Sequence, residues 1–232
     1  MPLSSGLQEF AVSEPAPRRT AVLYLHGFAS SPDSTKARFF RERLGRHGVT
    51  LASPDFNEPD FTTLTMSRML EQLARTVDGV GVPVTLMGSS LGAALAVLGA
   101  AQLGAAVERL VLLAPAVMFA KPGHSLLPPD RIAEWERCGA LPFFHYAYNE
   151  ERLLNVEFYR DSLQHDACNV AFGQPTLIFQ GRRDAVVDVR SVEAFARGRT
   201  NVTLSLLDDD HQLLASLPAM GDAVEEFLGL LE

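Results

Sequence analysis

The sequence predicts a doubly wound α/β domain, a mostly parallel sheet with helices on both faces and a helical lid insertion at about residues 118–172. Three observations carry that prediction. Short apolar runs such as Ala21-Val22-Leu23-Tyr24-Leu25 recur along the chain, as suits central parallel strands covered on both faces. Segments with helical spacing lie between them, so strands and helices alternate as in βαβ units. One connection, of roughly 55 residues, is too long for an ordinary crossover and reads as a functional cap. The chain has 232 residues, 47% of them hydrophobic, which suits a single domain over 1–232. At this size folding buries roughly 70–75% of the unfolded chain's surface, so the core needs no staples.

The elements follow in order. Residues 9–12 read as a short edge strand and 13–19, with two prolines, as a turn. The run 21–25 stops at His26-Gly27. Residues 30–34, with Pro32 and Asp33, form a loop that ends at a helix cap. Helical spacing then covers 34–47, with Phe39, Phe40 and Leu44 on one side, and Gly48 closes it. Residues 49–56 read as the next strand, leaving through Asn57-Glu58-Pro59. An amphipathic helix follows at 62–78, its apolar residues Leu64, Met66, Met69, Leu70, Leu73 and Val77. Pro83-Val84-Thr85-Leu86 is a strand, Met87-Gly88-Ser89-Ser90-Leu91-Gly92 a sharp turn, and 93–101 a helix of small apolar residues. A strand at 109–114 ends at Pro115. Residues 117–173 are rich in aromatics, prolines and histidines and show no strand-like run. The chain then resumes with a strand at 176–180, a helix at 191–197, a strand at 202–207 and a final helix at 213–231.

Composition removes several function classes. The formal net charge of −8 argues against nucleic acid or an anionic membrane as partner, since both require clustered Lys and Arg. Two cysteines, Cys138 and Cys168, make no disulfide framework and point to a reduced, cytoplasmic compartment. The first twenty residues lack the basic and apolar regions of a signal peptide. The longest low-polarity run, 91–107, is Gly-rich and carries Gln102, so a buried helix explains it better than a membrane span. No His, Cys, Asp or Glu cluster has metal-ligand spacing, and no glycine-rich loop fits a phosphate or dinucleotide fingerprint. Neither metal nor cofactor is expected.

The chemistry is expected at the strand ends. Glycines two residues before and two after Ser90 give the Gly-x-Ser-x-Gly pattern between strand and helix, the nucleophile elbow of the α/β-hydrolase fold. A serine hydroxyl needs a base to take its proton, and the base needs a third group to orient it. In that fold the order is Ser, then Asp or Glu, then His. Asp184 follows the strand 176–180 and His211 follows the strand 202–207, both at carboxyl ends where open parallel sheets bind ligands. Asp188 competes as a helix cap, and Asp209 and Asp210 as solvated loop acids. The attacked carbonyl oxygen needs N–H donors. The elbow offers the N–H of Leu91, at a helix N-terminus, and the loop His26-Gly27-Phe28 offers that of Phe28.

Residues 24–37, Tyr-Leu-His-Gly-Phe-Ala-Ser-Ser-Pro-Asp-Ser-Thr-Lys-Ala, resemble the signature of the small bacterial YqiA-like esterases of the α/β-hydrolase superfamily. The elbow Gly88–Gly92, the stretch Ala114-Pro115-Ala116-Val117 and Asp184-Ala185-Val186-Val187-Asp188 resemble that group too. Asp188 stands where many other α/β-hydrolases carry proline, and Ala93 replaces a second glycine often seen there. The resemblance implies a serine esterase using Ser90, Asp184 and His211, with Phe28 and Leu91 as oxyanion donors. It covers the sheet core and its loops, not residues 121–169.

The expected activity is cleavage of a small-molecule carboxylic ester or thioester through an acyl-enzyme on Ser90. The alternatives are a peptidase or amidase of the same fold and a hydrolase-fold binding protein without turnover. His26, Phe119 and Trp135 are candidate substrate contacts. His26 has a second reading as a brace for the oxyanion loop. Trp135, Phe143, Phe144, Tyr146, Tyr148, Phe158 and Tyr159 line a pocket or form the lid's own core. His47 ends a helix, and His124, His145 and His165 read as lid surface residues. Arg182 and Arg183, beside the acid, face an anionic substrate or solvent.

Overall fold

Side chains alternate along each strand, and here both faces of the strands are apolar, so the sheet must be covered twice. The computed structural model describes residues 21–119, 121 and 127–231. The expected strand at 9–12, the turn at 13–19 and His124 lie outside the described residues. The elements in chain order are β1 (Ala21–Leu25), α1 (Thr35–Gly45), β2 (Thr50–Ala52), α2 (Met66–Val80), β3 (Val84–Ser89), α3 (Leu91–Leu103), β4 (Val107–Leu113), α4 (Pro129–Cys138), β5 (Ala140–His145), β6 (Glu150–Asn155), α5 (Glu157–Ser162), β7 (Thr176–Gly181), α6 (Val189–Ala196), β8 (Val202–Leu207) and α7 (Leu217–Phe227).

The main sheet has the order β2-β1-β3-β4-β7-β8, and every pair in it is parallel. One face presents Leu23, Leu25, Leu86, Leu110, Leu112 and Ile178 to α2, α3 and α6. The other presents Val22, Tyr24, Met87, Val111, Leu113 and Phe179 to α1 and α7. This is the expected doubly wound architecture. The chain leaves β1 towards one edge and returns with β3 on the other side, so the switch point lies between β1 and β3.

Local chemistry sets the helix limits. Ser34 Oγ accepts the Ala37 N–H and starts α1, and Thr65 Oγ1 accepts the Arg68 N–H and starts α2. The expected helix at 62–78 is therefore two pieces, a 3₁₀ turn at Phe61–Thr63 and then α2. Its six predicted apolar residues are all buried. The second strand is three residues long rather than eight, because Pro54 cannot donate to a ladder. The last helix starts at Leu217 rather than at 213, since Leu213 has φ +56° and Pro218 sets the first turn.

The insertion between β4 and β7 departs from expectation. It contains α4 and α5, but also an antiparallel hairpin of β5 and β6 where no strand was expected. Neither strand carries the usual signal. β5 contains Pro142, and β6 reads Glu-Glu-Arg-Leu-Leu-Asn with one fully buried residue, Leu154. Only one face of a two-stranded hairpin meets a core, so the apolar pattern is thin. That face joins Leu141, Leu154, Trp135 and Phe158 to the core beneath. The insertion is also tied down by polar contacts. Tyr146 N–H donates to the Ala29 carbonyl at 3.0 Å. Ser67 donates its N–H to Asp161 Oδ2 at 2.8 Å and its hydroxyl to Asp161 Oδ1 at 2.5 Å, and His165 Nε2 reaches the same hydroxyl at 2.9 Å. Lys121 pairs with Asp166. Both cysteines are free thiols. Among the described residues no helix is long and apolar enough to cross a membrane.

Candidate active site

Ser90 sits between β3 and α3 with φ +53° and ψ −114°, a backbone conformation that L-residues avoid. The turn is held on both sides: Ser90 N–H donates to the Leu113 carbonyl at 2.9 Å, and the Ser90 carbonyl accepts the Ala116 N–H at 3.2 Å. Such a turn requires α3 to lie almost on β1. A Cβ on Gly92 would stand 2.0 Å from the Leu25 carbonyl oxygen, so only glycine fits there. Three other non-glycine residues with positive φ, Ala29, Ala114 and Leu213, also lie in the loops that follow β1, β4 and β8. Backbone strain thus gathers at the carboxyl end of the sheet.

The three residues expected to act together are brought together. Ser90 Oγ lies 3.2 Å from His211 Nε2, and His211 Nδ1 lies 2.8 Å from Asp184 Oδ2. They come from the ends of β3, β8 and β7. Gly181 allows the last two ends to meet, since a Cβ there would stand 2.5 Å from the carbonyl oxygens of Asp209 and Asp210. The Asp184 side chain is fully buried, whereas that of His211 keeps 16% exposure. Asp184 Oδ1 accepts the N–H groups of Val186 and Val187, each at 2.8 Å, and Oδ2 accepts from Gln180 Nε2 at 2.9 Å. Burial pushes this carboxyl upward, but the hydrogen bonds from His211, Val187 and Val186 outweigh it and hold the pKa below the usual carboxylate range. The group therefore stays ionised and accepts the Nδ1 proton, which leaves Nε2 as an acceptor facing the Ser90 hydroxyl.

The rival acids have other partners. Asp188 caps α6 through the Arg190 N–H. Asp209 accepts the N–H groups of Asp210 and Ser216, and Asp210 accepts that of Gln212. These bonds shape the loop that carries His211.

The loop after β1 faces the elbow across the switch point. A Cβ on Gly27 would lie 3.2 Å from the Ser89 carbonyl oxygen. Leu91 opens α3, and its N–H is among the unpaired donors of a helix N-terminus. His26 was a candidate substrate contact, and the structure corrects this. It is 2% exposed, its Nε2 accepts the Phe56 N–H at 3.0 Å and its Nδ1–H donates to the Gly27 carbonyl at 2.9 Å. With both nitrogens engaged and no open face, it braces the loop.

The insertion's aromatics divide into two sets. Trp135, Phe143 and Phe158 form one cluster, and the last two also contact the Phe28 ring. Trp135 donates its indole N–H to the Leu154 carbonyl at 2.8 Å and is 4% exposed. It belongs to the insertion's core, not to an open wall, which corrects its reading as a substrate contact. Phe144, Tyr146 and Tyr148 point outward. Phe119 is buried but lines a shallow cleft with Ala116, Met118, Val186 and Val187, between the loops after β4 and β7. His145, read as a lid surface residue, is fully buried: Nε2 meets Asn57 Oδ1 at 3.0 Å, and the ring stacks on Tyr148. Asn57 in turn donates to the Ser30 carbonyl. His47 pairs with Glu225 of α7. Arg182 and Arg183 are exposed, and Arg183 meets Asp208.

Several supporting residues escaped the sequence reading. Gln180 ends an otherwise apolar strand, and that misplaced polarity was its only signal. Lys36 stood inside the 24–37 stretch with no role visible there, and His145 gave no signal, because their partners are distant in the chain. Among the described residues no group of three or more potential metal ligands assembles.

The chain matches, over residues 21–224, the family described as an uncharacterised protein family, UPF0227. No curated protein matches it. Among solved structures, that of ferulic acid bound to Est1E from Butyrivibrio proteoclasticus is 23% identical, with a TM-score of 0.77 over 90% of this chain and 88% of that one. Alpha/beta hydrolase domain-containing protein 10 from mouse is 19% identical, with a TM-score of 0.75 over 94% and 92%. Monoacylglycerol lipase from Paleococcus ferrophilus is 14% identical, with a TM-score of 0.73 over 90% and 93%. At these identities the likeness is one of fold, and the fold is that of the α/β hydrolases.

Proposed function

The chain belongs to the YqiA-like family UPF0227, and from that premise we propose that it is a serine hydrolase cleaving a small-molecule carboxylic ester or thioester. The observation that carries this reading is the relay from Ser90 Oγ to His211 at 3.2 Å and from His211 to Asp184 at 2.8 Å, on a strained elbow. The monoacylglycerol lipase among the fold's relatives, and the ferulic acid bound to Est1E, are in keeping with it.

In the proposed reaction His211 Nε2 takes the Ser90 proton as Oγ bonds to the substrate carbonyl carbon. Negative charge collects on the carbonyl oxygen, and the N–H groups of Leu91 and Phe28 receive it. Each such donor is worth about 2.7–4 kcal/mol in measured cases. The imidazolium then gives its proton to the leaving alkoxide or thiolate, and the acyl-enzyme remains. Water, deprotonated by the same nitrogen, attacks the acyl carbon, and Ser90 leaves with the proton returned. Asp184 fixes the imidazole tautomer and stabilises the charged form without itself taking the proton.

The insertion at about 118–172 is the cap of this site in our reading. Its aromatic cluster packs on Phe28, so it supports the oxyanion loop from outside. The cleft beside Ala116 and Val187 receives the substrate's apolar group, with Phe119 as its floor. The test is hydrolysis of short p-nitrophenyl esters by the wild type and by Ser90→Ala. Turnover that depends on Ser90 is the expected outcome, and equal rates in both proteins would sink the reading.

A further inference from the structure

Lys36 is a buried cation whose place in the helix gives its charge no support. It is 8% exposed, so its ammonium is largely dehydrated. It also occupies the second position of α1, where the helix dipole disfavours positive charge. Packing alone gives no reason for a lysine here, since an unbranched apolar side chain would fill the space at lower cost. What sets it apart is its aim. Nζ donates to the carbonyl of Gln212 at 3.0 Å, the residue after His211 and 176 positions away in the chain. The carboxylates facing it are Asp184 from the loop after β7, and Asp209 and Asp210 from the loop after β8. Burial lowers its pKa to about 8, and the pull of Asp210, Asp184 and Asp209 opposes that fall.

We infer that Lys36 is a positioning residue for the base: it tethers the loop that carries His211 and offsets the negative field of the aspartates around the imidazole. The inference rests on the serine-hydrolase reading. The tether and the charge act differently. The tether holds Nε2 at hydrogen-bond distance from Ser90 Oγ. The charge balances Asp184, Asp209 and Asp210, the carboxylates that act on it. Without it those carboxylates act on the site unopposed, so the acid limb of the Ser90 reaction moves to higher pH.

The test is the rate at which a fluorophosphonate labels Ser90, followed against pH. It is run on the wild type, Lys36→Met, Lys36→Gln and Lys36→Arg, with Ser90→Ala as blank and thermal melting in parallel. In a neutral variant that melts as the wild type does, the plateau rate should fall about tenfold and the acid limb should move up by about half a pH unit. Lys36→Arg should keep the limb where the wild type has it. A wild type that labels no faster than Ser90→Ala overturns the hydrolase reading, and this inference with it. A labelling wild type whose folded neutral variants keep its acid limb overturns this inference alone. Failure of both neutral variants to fold would make Lys36 a stability residue and would equally overturn it.

Discussion

The Nδ1 atom of His211 lies 2.8 Å from Oδ2 of Asp184, whose other oxygen is occupied by two backbone N–H groups. The carboxylate therefore cannot turn, and its remaining lone pairs set the tautomer of the imidazole. Asp184→Asn should preserve the fold but offer His211 an N–H where it now has an acceptor. The expected loss in kcat is about 10³–10⁴-fold, measured on a p-nitrophenyl ester beside an unchanged circular dichroism spectrum. A loss below tenfold would show that Asp184 does not orient the base.

Ser90 holds φ +53° against its preference, at a cost of about 1–3 kcal/mol. Ser90→Gly should abolish turnover and raise the melting temperature by about 2–4 °C, because glycine reaches this conformation without a Cβ clash. Scanning calorimetry reads this directly, and a lowered melting temperature would contradict stored strain at the elbow.

Gly92 has no room for a methyl group, and the nearest obstacle is backbone. Gly92→Ala should separate α3 from β1, displacing both Leu91 and Ser90. We expect poor soluble expression or a protein with no measurable Ser90 labelling. Wild-type labelling by this variant would refute the close packing of helix on strand.

Phe119 and Trp135 should now behave differently. Phe119 lines the cleft, so Phe119→Ala should change relative kcat/KM across acyl chain lengths. Trp135 is a core residue with a buried indole hydrogen bond, and Trp135→Ala should lose about 3–5 kcal/mol of stability. Its chain-length preference should stay as in the wild type. Urea unfolding and an ester panel on both variants distinguish the two roles.

Stability should fall on acidification. The paired guanidinium of Arg43 holds the Glu225 carboxyl below its usual range, against the effect of burial, and His47 assists. Asp184 and Asp209 are depressed too. A carboxylate with a lowered folded pKa binds fewer protons folded than unfolded. Its contribution is complete above the unfolded value, near about 4, and is lost as pH falls through the folded one. The urea midpoint should begin to fall below about pH 6.5, where burial keeps His145 from taking a proton, and drop further below about pH 4. Glu225→Gln should reduce that slope and cost about 1–3 kcal/mol at pH 7. An unaltered slope would exclude Glu225 as a source.

Much of this was legible in the chain. The run Ala21–Leu25 could only be a strand covered on both faces, because five consecutive apolar side chains point both ways. Gly88, Ser90 and Gly92 specified a tight turn through the small size of glycine, a property readable one residue at a time. The order of Ser90, Asp184 and His211 placed each after a strand. The hairpin β5–β6 was not legible, since Pro142 and the charged face of β6 mask a strand that only its partner stabilises. The roles of His26 and Trp135 were not legible either, because burial and hydrogen-bond partners are properties of the folded neighbourhood.

The sequence by itself therefore determined the alternation of elements, the elbow and the candidate triad, all of which rest on local sterics and period. Tertiary structure alone decided what the rival acids Asp188, Asp209 and Asp210 bond to instead, and that Lys36 reaches the loop of His211. The last depends on a contact between residues far apart in the chain. Such contacts leave no periodic trace, because they exist only once β7, β8 and α1 have packed side by side.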